Sequence, residues 1–108
     1  MPAQETARTH ERIHHPDTGS LDLATIMRTL GDPARLQIVR ALADDQERMC
    51  NDISKLVGMP NSTCSYHLRL LREAGITRAR AAGTQRLISL RRDDLEERFP
   101  GLVEVLTR

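Results

Sequence analysis

Hydrophobic residues recur at helical spacing in five stretches of the chain, and they alternate with polar residues in a sixth. The first helix is predicted from Ser20, which suits an N-cap, to the residue before Gly31. The second is predicted to begin at Asp32 and Pro33, because an Asp side chain caps free amides and Pro suits the first turn. Its apolar stripe ends before the acidic residues 44–47.

The next two helices are predicted to lie close together in the sequence. A short helix over about 51–57 is ended by Gly58, and a longer one starts near Asn61 and runs to about Glu73. Two helices joined by a three- or four-residue turn that contains glycine have the layout of a helix-turn-helix.

A change of period after the fourth helix predicts a β-hairpin over about 76–90, with its turn at Ala82-Gly83. A last helical segment starts near Asp93 and is predicted to be interrupted at Pro100-Gly101. The expected fold class is therefore mainly α with a small β-hairpin wing, a winged helix-turn-helix.

Length and composition allow one small domain. Residues 1–19 are polar and lack an apolar period, so we expect a flexible tail there and a single domain over 20–108. Only two of the 108 residues are aromatic, which predicts a thin aliphatic core and a chain that pairs with itself. The sequence has no stretch suited to a signal peptide or membrane span and has only two cysteines, which favours a cytoplasmic protein without membrane contacts.

The net charge of +1 conceals three zones of different sign. Residues 1–61 carry a charge of −2, residues 62–92 carry +6, and residues 93–108 carry −3. A basic segment between acidic flanks is expected where one face meets a polyanion, although a solvated arginine-rich face has the same pattern. The basic segment coincides with the second helix of the pair and the hairpin.

The outward side of that second helix carries hydroxyl groups, a phenol and a guanidinium, which donate to phosphates and base edges in DNA. Contacts to bases are predicted from Ser62, Thr63, Ser65 and Tyr66. Contacts to the backbone are predicted from Asn61, Arg69, Arg78, Arg80 and Arg86, with Gln85 beside them in the hairpin. The alternative is a dimeric winged-helix interaction module that does not bind DNA.

Three segments of this chain resemble the ArsR/SmtB family of bacterial transcriptional regulators. They are LGDPARLQIVRAL (30–42), DISKLVGMPNSTCSYHLRLLREAGI (52–76) and ARAAGTQRLISL (79–90). The resemblance implies a winged-helix homodimer, most often a repressor, on a palindromic DNA operator, with the first and last helices forming the dimer interface. The interface residues it implies are Leu21, Leu23, Ile26, Met27, Leu95, Phe99, Leu102, Val103 and Leu106.

Many regulators of that family respond to a metal ion, but neither of the family's common ligand sets is intact in this sequence. Met49 and Asn51 stand where two cysteines are common, and the last helix has no histidine. No cofactor is required by this pattern. One interpretation of the residues that offer N, S and O ligands is a site for a regulatory transition metal, zinc, nickel or copper. The other interpretation is that the tail histidines are only solvated. The candidate ligands are Cys50, Asp52, His10, His14 and His15.

The two cysteines also suggest a thiol switch. Cys64 falls on the buried stripe of its helix and is interpreted as a core thiol, whereas Cys50 precedes a helix N-terminus and is expected to be the more reactive. A direct disulfide is not expected, because the predicted spacing places their Cα atoms beyond about 7 Å. The sequence contains no phosphate-binding glycine loop, nucleophile elbow or His-Glu-x-x-His, so an enzyme is not expected.

Overall fold

The structure is a computed structural model that describes residues 13–108. Within that range the chain forms six α-helices and one antiparallel hairpin, and a 3₁₀ turn over Thr18–Ser20 precedes the first helix. The expected class, mainly α with a small wing, is confirmed. In chain order the elements are α1 (Leu23–Thr29), α2 (Pro33–Ala41), α3 (Cys50–Val57), α4 (Asn61–Glu73), β1 (Thr77–Ala82), β2 (Gln85–Leu90), α5 (Arg92–Arg98) and α6 (Leu102–Leu106).

Side-chain caps define the starts of the first two helices. Asp32 accepts a hydrogen bond from the amide of Ala34 at 2.8 Å, with Pro33 in the first turn, as predicted. The predicted cap at Ser20 is wrong. Asp22 caps α1 by accepting from the Thr25 amide at 2.9 Å, and the Ser20 hydroxyl instead donates to the carbonyl of Asp17.

Glycines with positive φ end the two helices of the helix-turn-helix. Gly58 has a φ of 71° after α3, and Gly75 has a φ of 82° after α4. A Cβ at Gly75 would also lie 2.1 Å from Cδ2 of Leu21, so the Leu21 side chain would have to move. The chain before α1 therefore packs directly over the end of α4.

The hairpin pairs Thr77 with Leu90 at its base and Ala82 with Gln85 at its tip. The two-residue loop is Gly83-Thr84, one residue later than predicted. Arg48, in the loop between α2 and α3, forms two backbone hydrogen bonds with Ile88 of β2, at 2.9 and 2.8 Å. The base of the wing is thus held on both sides of β2.

The core is aliphatic and draws on every helix of the described chain and on both strands. From α4 it takes Cys64, Leu68 and Leu71, the stripe predicted for that helix. Phe99 lies only partly buried at the predicted break between α5 and α6. The buried stripe of α4 fixes which of its residues face outward.

Residues 13–20 contact the domain, although the sequence places most of them in the tail. The amide of Ala79 donates to Nε2 of His15 at 3.0 Å, and Arg91 donates to the carbonyl of Pro16 at 2.9 Å. Arg98 donates to the carbonyl of Thr18 at 2.7 Å. Residues 1–12, including His10, lie outside the described residues, and the flexibility of the tail stays a prediction.

Candidate nucleic-acid interface

The turn between α3 and α4 is held by a cluster of polar side chains. The buried hydroxyl of Ser54 donates to Oδ1 of Asn61 at 2.6 Å, and Nδ2 of Asn61 donates to Oδ1 of Asn51 at 2.5 Å. Both ends of the Asn61 amide are therefore engaged by α3. Asn61 is thus held at the start of α4 by α3, and its predicted contact with phosphate stays a prediction.

A groove of about 1000 Å³ runs between α4, the start of α3 and the wing. Its walls carry hydroxyl, amide and guanidinium groups from these elements, and its floor includes Leu68 and Ile88. Seven of the ten predicted DNA-binding residues line it. These are Asn61, Ser62, Ser65, Tyr66, Arg69, Gln85 and Arg86.

The outer edge of the groove has one exposed aromatic side chain. Tyr66 is 50% exposed, and the guanidinium carbon of Arg69 lies 5.4 Å from its ring centroid. This stacking presents a phenol and a cation side by side, with Glu73 only a distant partner of Arg69 at 3.9 Å. Thr63 is exposed on α4 but does not line the groove.

Two predicted wing contacts are held by acidic residues outside the groove. Arg80 donates to both carboxylate oxygens of Glu47, at 2.6 and 2.8 Å, and Arg78 donates to Asp94 at 2.8 Å. The hydrogen bond from Arg80 lowers the pKa of Glu47 below its ordinary value. Both exposed guanidinium groups therefore already have a carboxylate partner, which sequence periodicity does not reveal, and their contact with phosphate stays a prediction.

Arg72 is a groove residue that the sequence analysis missed. It lies on the side of α4 that carries Ser65 and Arg69, and its Nε is buried with no hydrogen-bond partner among the described residues. The signal was present in the sequence, because positions 65, 69 and 72 continue one helical stripe. Arg69, Arg72 and Arg86 thus bring three cations to one groove.

Comparison with known proteins identifies a domain family, relatives and solved structures that are similar to this chain. A profile described as a helix-turn-helix domain matches residues 30–80. The uncharacterized HTH-type transcriptional regulator YceK of Bacillus subtilis is 36% identical over 84 residues, which cover 77% of this chain and 84% of YceK. One similar solved structure is a homodimeric winged helix-turn-helix DNA-binding domain from Mycobacterium bovis, named a possible ArsR-family transcriptional regulator. It matches this chain with a TM-score of 0.66 and 32% identity, and the match covers 78% of this chain and 76% of that one.

The chain belongs to the ArsR/SmtB family of transcriptional regulators. The family and fold are those of DNA-binding regulators and not of enzymes. A cadmium resistance regulator, the CadC homolog of Staphylococcus aureus, is 32% identical over 63 residues, 58% of this chain and 52% of that protein. No helix between residues 13 and 108 has the length and apolar character needed to cross a bilayer.

The predicted dimer residues of this ArsR-family chain divide into three groups by their exposure. Five of the nine are buried in the core of the single chain: Leu21, Ile26, Leu95, Val103 and Leu106. Phe99 and Leu102 are partly buried. Leu23 and Met27 of α1 are each 45% exposed, and Val105 of α6, absent from the prediction, is 56% exposed.

The candidate metal ligands are not brought together. Among residues 13–108 no group of three or more His, Cys, Asp or Glu side chains is placed to hold a metal ion. His15 uses Nε2 to accept from the wing, and its pKa is lowered by burial and by Arg91, Arg72 and Arg78. His14 and Asp52 are exposed. The described residues of one chain therefore do not provide the ligands of a metal site.

The two cysteines are neighbours and form no disulfide with each other. The Cys64 thiol lies 4.0 Å from the carbonyl oxygen of Cys50, and the Cys50 thiol lies 3.8 Å from that of Asn61. Burial, reinforced by the adjacent Cys50 thiol, raises the pKa of Cys64 to about 12. Cys64 is thus the core thiol that the sequence predicts, and Cys50 is partly exposed at the groove.

Iodoacetamide at pH 8 will therefore label Cys50 and leave Cys64 unmodified, because alkylation needs the thiolate and the pKa of Cys64 is about 12. Intact-mass spectrometry followed by peptide mapping will show one adduct in the native protein. Labelling in concentrated urea, where both thiols are accessible, is the control and will give two adducts. Equal labelling of both cysteines in the native state would contradict the buried placement of Cys64.

Proposed function

We propose that a homodimer of this chain represses transcription by binding a palindromic DNA operator. The observation that supports it most is the groove between α4 and the wing, which gathers hydroxyls, a phenol and three arginines on one surface. Such groups are those that donate to phosphates and base edges. Under this proposal α4 is the recognition helix and enters the major groove, and the wing follows the backbone.

The position of each side chain on α4 or on the wing determines the DNA contact that we propose for it. Base contacts are proposed for the hydroxyl-bearing residues at the start of α4: Ser62, Thr63, Ser65 and Tyr66. Phosphate contacts are proposed for Arg69, Arg72 and Arg86, with Gln85 beside them. Phosphate contacts are also proposed for Arg78 and Arg80, where DNA competes with Asp94 and Glu47 for the guanidinium groups.

The test begins by selecting duplexes from a random library with the purified protein and measuring affinity by fluorescence anisotropy at several salt concentrations. A specific regulator will enrich a palindromic sequence and bind it at least about 1000-fold more tightly than a scrambled duplex. In a reporter strain, repression predicts that expression from the selected sequence rises when the protein is removed. The rival proposal, an interaction module without DNA binding, is favoured if no salt-sensitive complex forms.

We propose no metal-release step. The CadC homolog is named as a cadmium resistance regulator, which supports a metal response in that protein. The described residues of this chain supply no matching ligand cluster. A regulatory metal here would need ligands from the partner protomer or from residues 1–12.

Glu47→Gln will tighten binding to every duplex, selected or scrambled, by about threefold, because it frees Arg80 for phosphate and exposed ion pairs are weak. The salt dependence will also become steeper. Asp45→Asn is the matched control, since it removes an acid from the same loop but frees Arg92, not a wing arginine. Weaker binding by the Glu47 variant would show that the ion pair holds the wing in its binding position.

A further inference from the structure

One guanidinium joins three helices behind the groove. Nε of Arg35, in the first turns of α2, donates to the carbonyl of Thr29, the last residue of α1, at 2.6 Å. Nη1 of the same side chain lies 3.2 Å from Nδ1 of His67 on α4 and 3.7 Å from the carboxylate of Asp32. The side chain is only 15% exposed.

His67 is the one buried polar side chain of α4, on a face otherwise made of Cys64, Leu68 and Leu71. A guanidinium only donates hydrogen bonds, so Nδ1 of His67 is the acceptor and the ring carries its proton on Nε2. The apolar neighbours tolerate small rotations of the helix, whereas a directed hydrogen bond between planar groups does not.

A helix-capping role alone does not account for Arg35. Its bond to Thr29 satisfies one of the carbonyls left free at the end of α1. The contact with His67 adds nothing to that cap, but it links the cap to α4. It does so on the side of α4 opposite to Ser62, Ser65 and Arg69, which line the groove. The same two contacts connect α4 to α1, whose Leu23 and Met27 are exposed.

We propose that Arg35 and His67 are positioning residues that set the rotation of the recognition helix relative to α1. The proposal rests on the DNA-binding function argued above. Neither side chain contacts DNA. Together they determine which edge of α4 meets the bases, and so they control sequence discrimination more than total affinity.

The test uses the duplex selected by the unaltered protein and a scrambled duplex of equal length. Arg35→Met and His67→Phe will each weaken binding to the selected duplex by about tenfold, the effect of one charged hydrogen bond, and change binding to the scrambled duplex by less than about twofold. The double variant will lose no more than either single one, because both remove the same contact. The salt dependence will stay unchanged, since no phosphate contact is lost.

Two variants separate positioning from stability. Arg40→Met removes the other arginine of α2 that binds a backbone carbonyl, that of Leu106 at 3.0 Å, and will lower Tm without changing the ratio of the two affinities. His67→Gln keeps an acceptor for Arg35 and will discriminate between the two duplexes as the unaltered protein does, unlike His67→Phe. If Arg35→Met does not fold, this comparison of the two His67 variants tests the proposal. The proposal is overturned if the Arg35 variant keeps the unaltered ratio, or if Arg40→Met lowers it equally. Absence of any selected duplex would overturn the DNA-binding function itself.

Discussion

Leu23→Asp combined with Met27→Asp will convert the protein to a monomer of about 12.2 kDa in sedimentation velocity. Both side chains are 45% exposed on one side of α1, so the chain keeps its core while the surface offered to a partner gains two charges. Affinity for the selected palindrome will fall by about 100-fold or more, because two linked recognition helices gain from binding as one unit. Affinity for a single half-site will change little.

Leu56→Asp is the matched control for the oligomeric state. Leu56 lies on α3 and, at 59%, is more exposed than either α1 residue, so its replacement introduces the same charge at another apolar surface position. That variant will remain a dimer. If the α1 double variant also sediments as a dimer, the interface lies elsewhere, and Val105 of α6 becomes the next residue to replace.

The sequence predicts most of this fold because the deciding interactions are local. The Asp32-Pro33 start, the glycine at position 58 and the break at Pro100-Gly101 each depend on residues within a few positions. The sequence does not identify Asp22 as the cap, because Ser20 and Asp22 are both good capping residues. The 3₁₀ turn that includes Ser20 and packs beside Asp94 determines which of the two caps α1. Such a contact joins residues that are 76 positions apart.

The candidate site was predicted less completely, for the same physical reason. Helical period identifies the outward face of α4, and with it Ser62, Ser65 and Tyr66, since that face is set by the buried stripe. It does not reveal that Glu47 captures Arg80 across 33 positions or that α3 engages Asn61. Charge in a segment is visible in sequence, whereas the partner that neutralises it is a property of the fold.

Arg86→Ala will weaken binding to all duplexes and lower the slope of log affinity against log salt by about one unit per protomer, or about two per dimer. Arg86 lies on the wing side of the groove, opposite Arg69 and Arg72, where the backbone of a duplex seated on α4 would pass. A backbone contact carries no base information, so the ratio of selected to scrambled affinity will stay nearly constant. Anisotropy titrations at four or more salt concentrations measure both quantities.

Arg40→Ala controls for the loss of one positive charge, because Arg40 donates to the carbonyl of Leu106 outside the groove. Its salt slope will match that of the unaltered protein, since long-range attraction is screened beyond about 8 Å at physiological ionic strength. A slope that falls equally in both variants would mean that only net charge matters. A slope that falls in neither would place Arg86 away from phosphate, and the wing would then act by supporting α4.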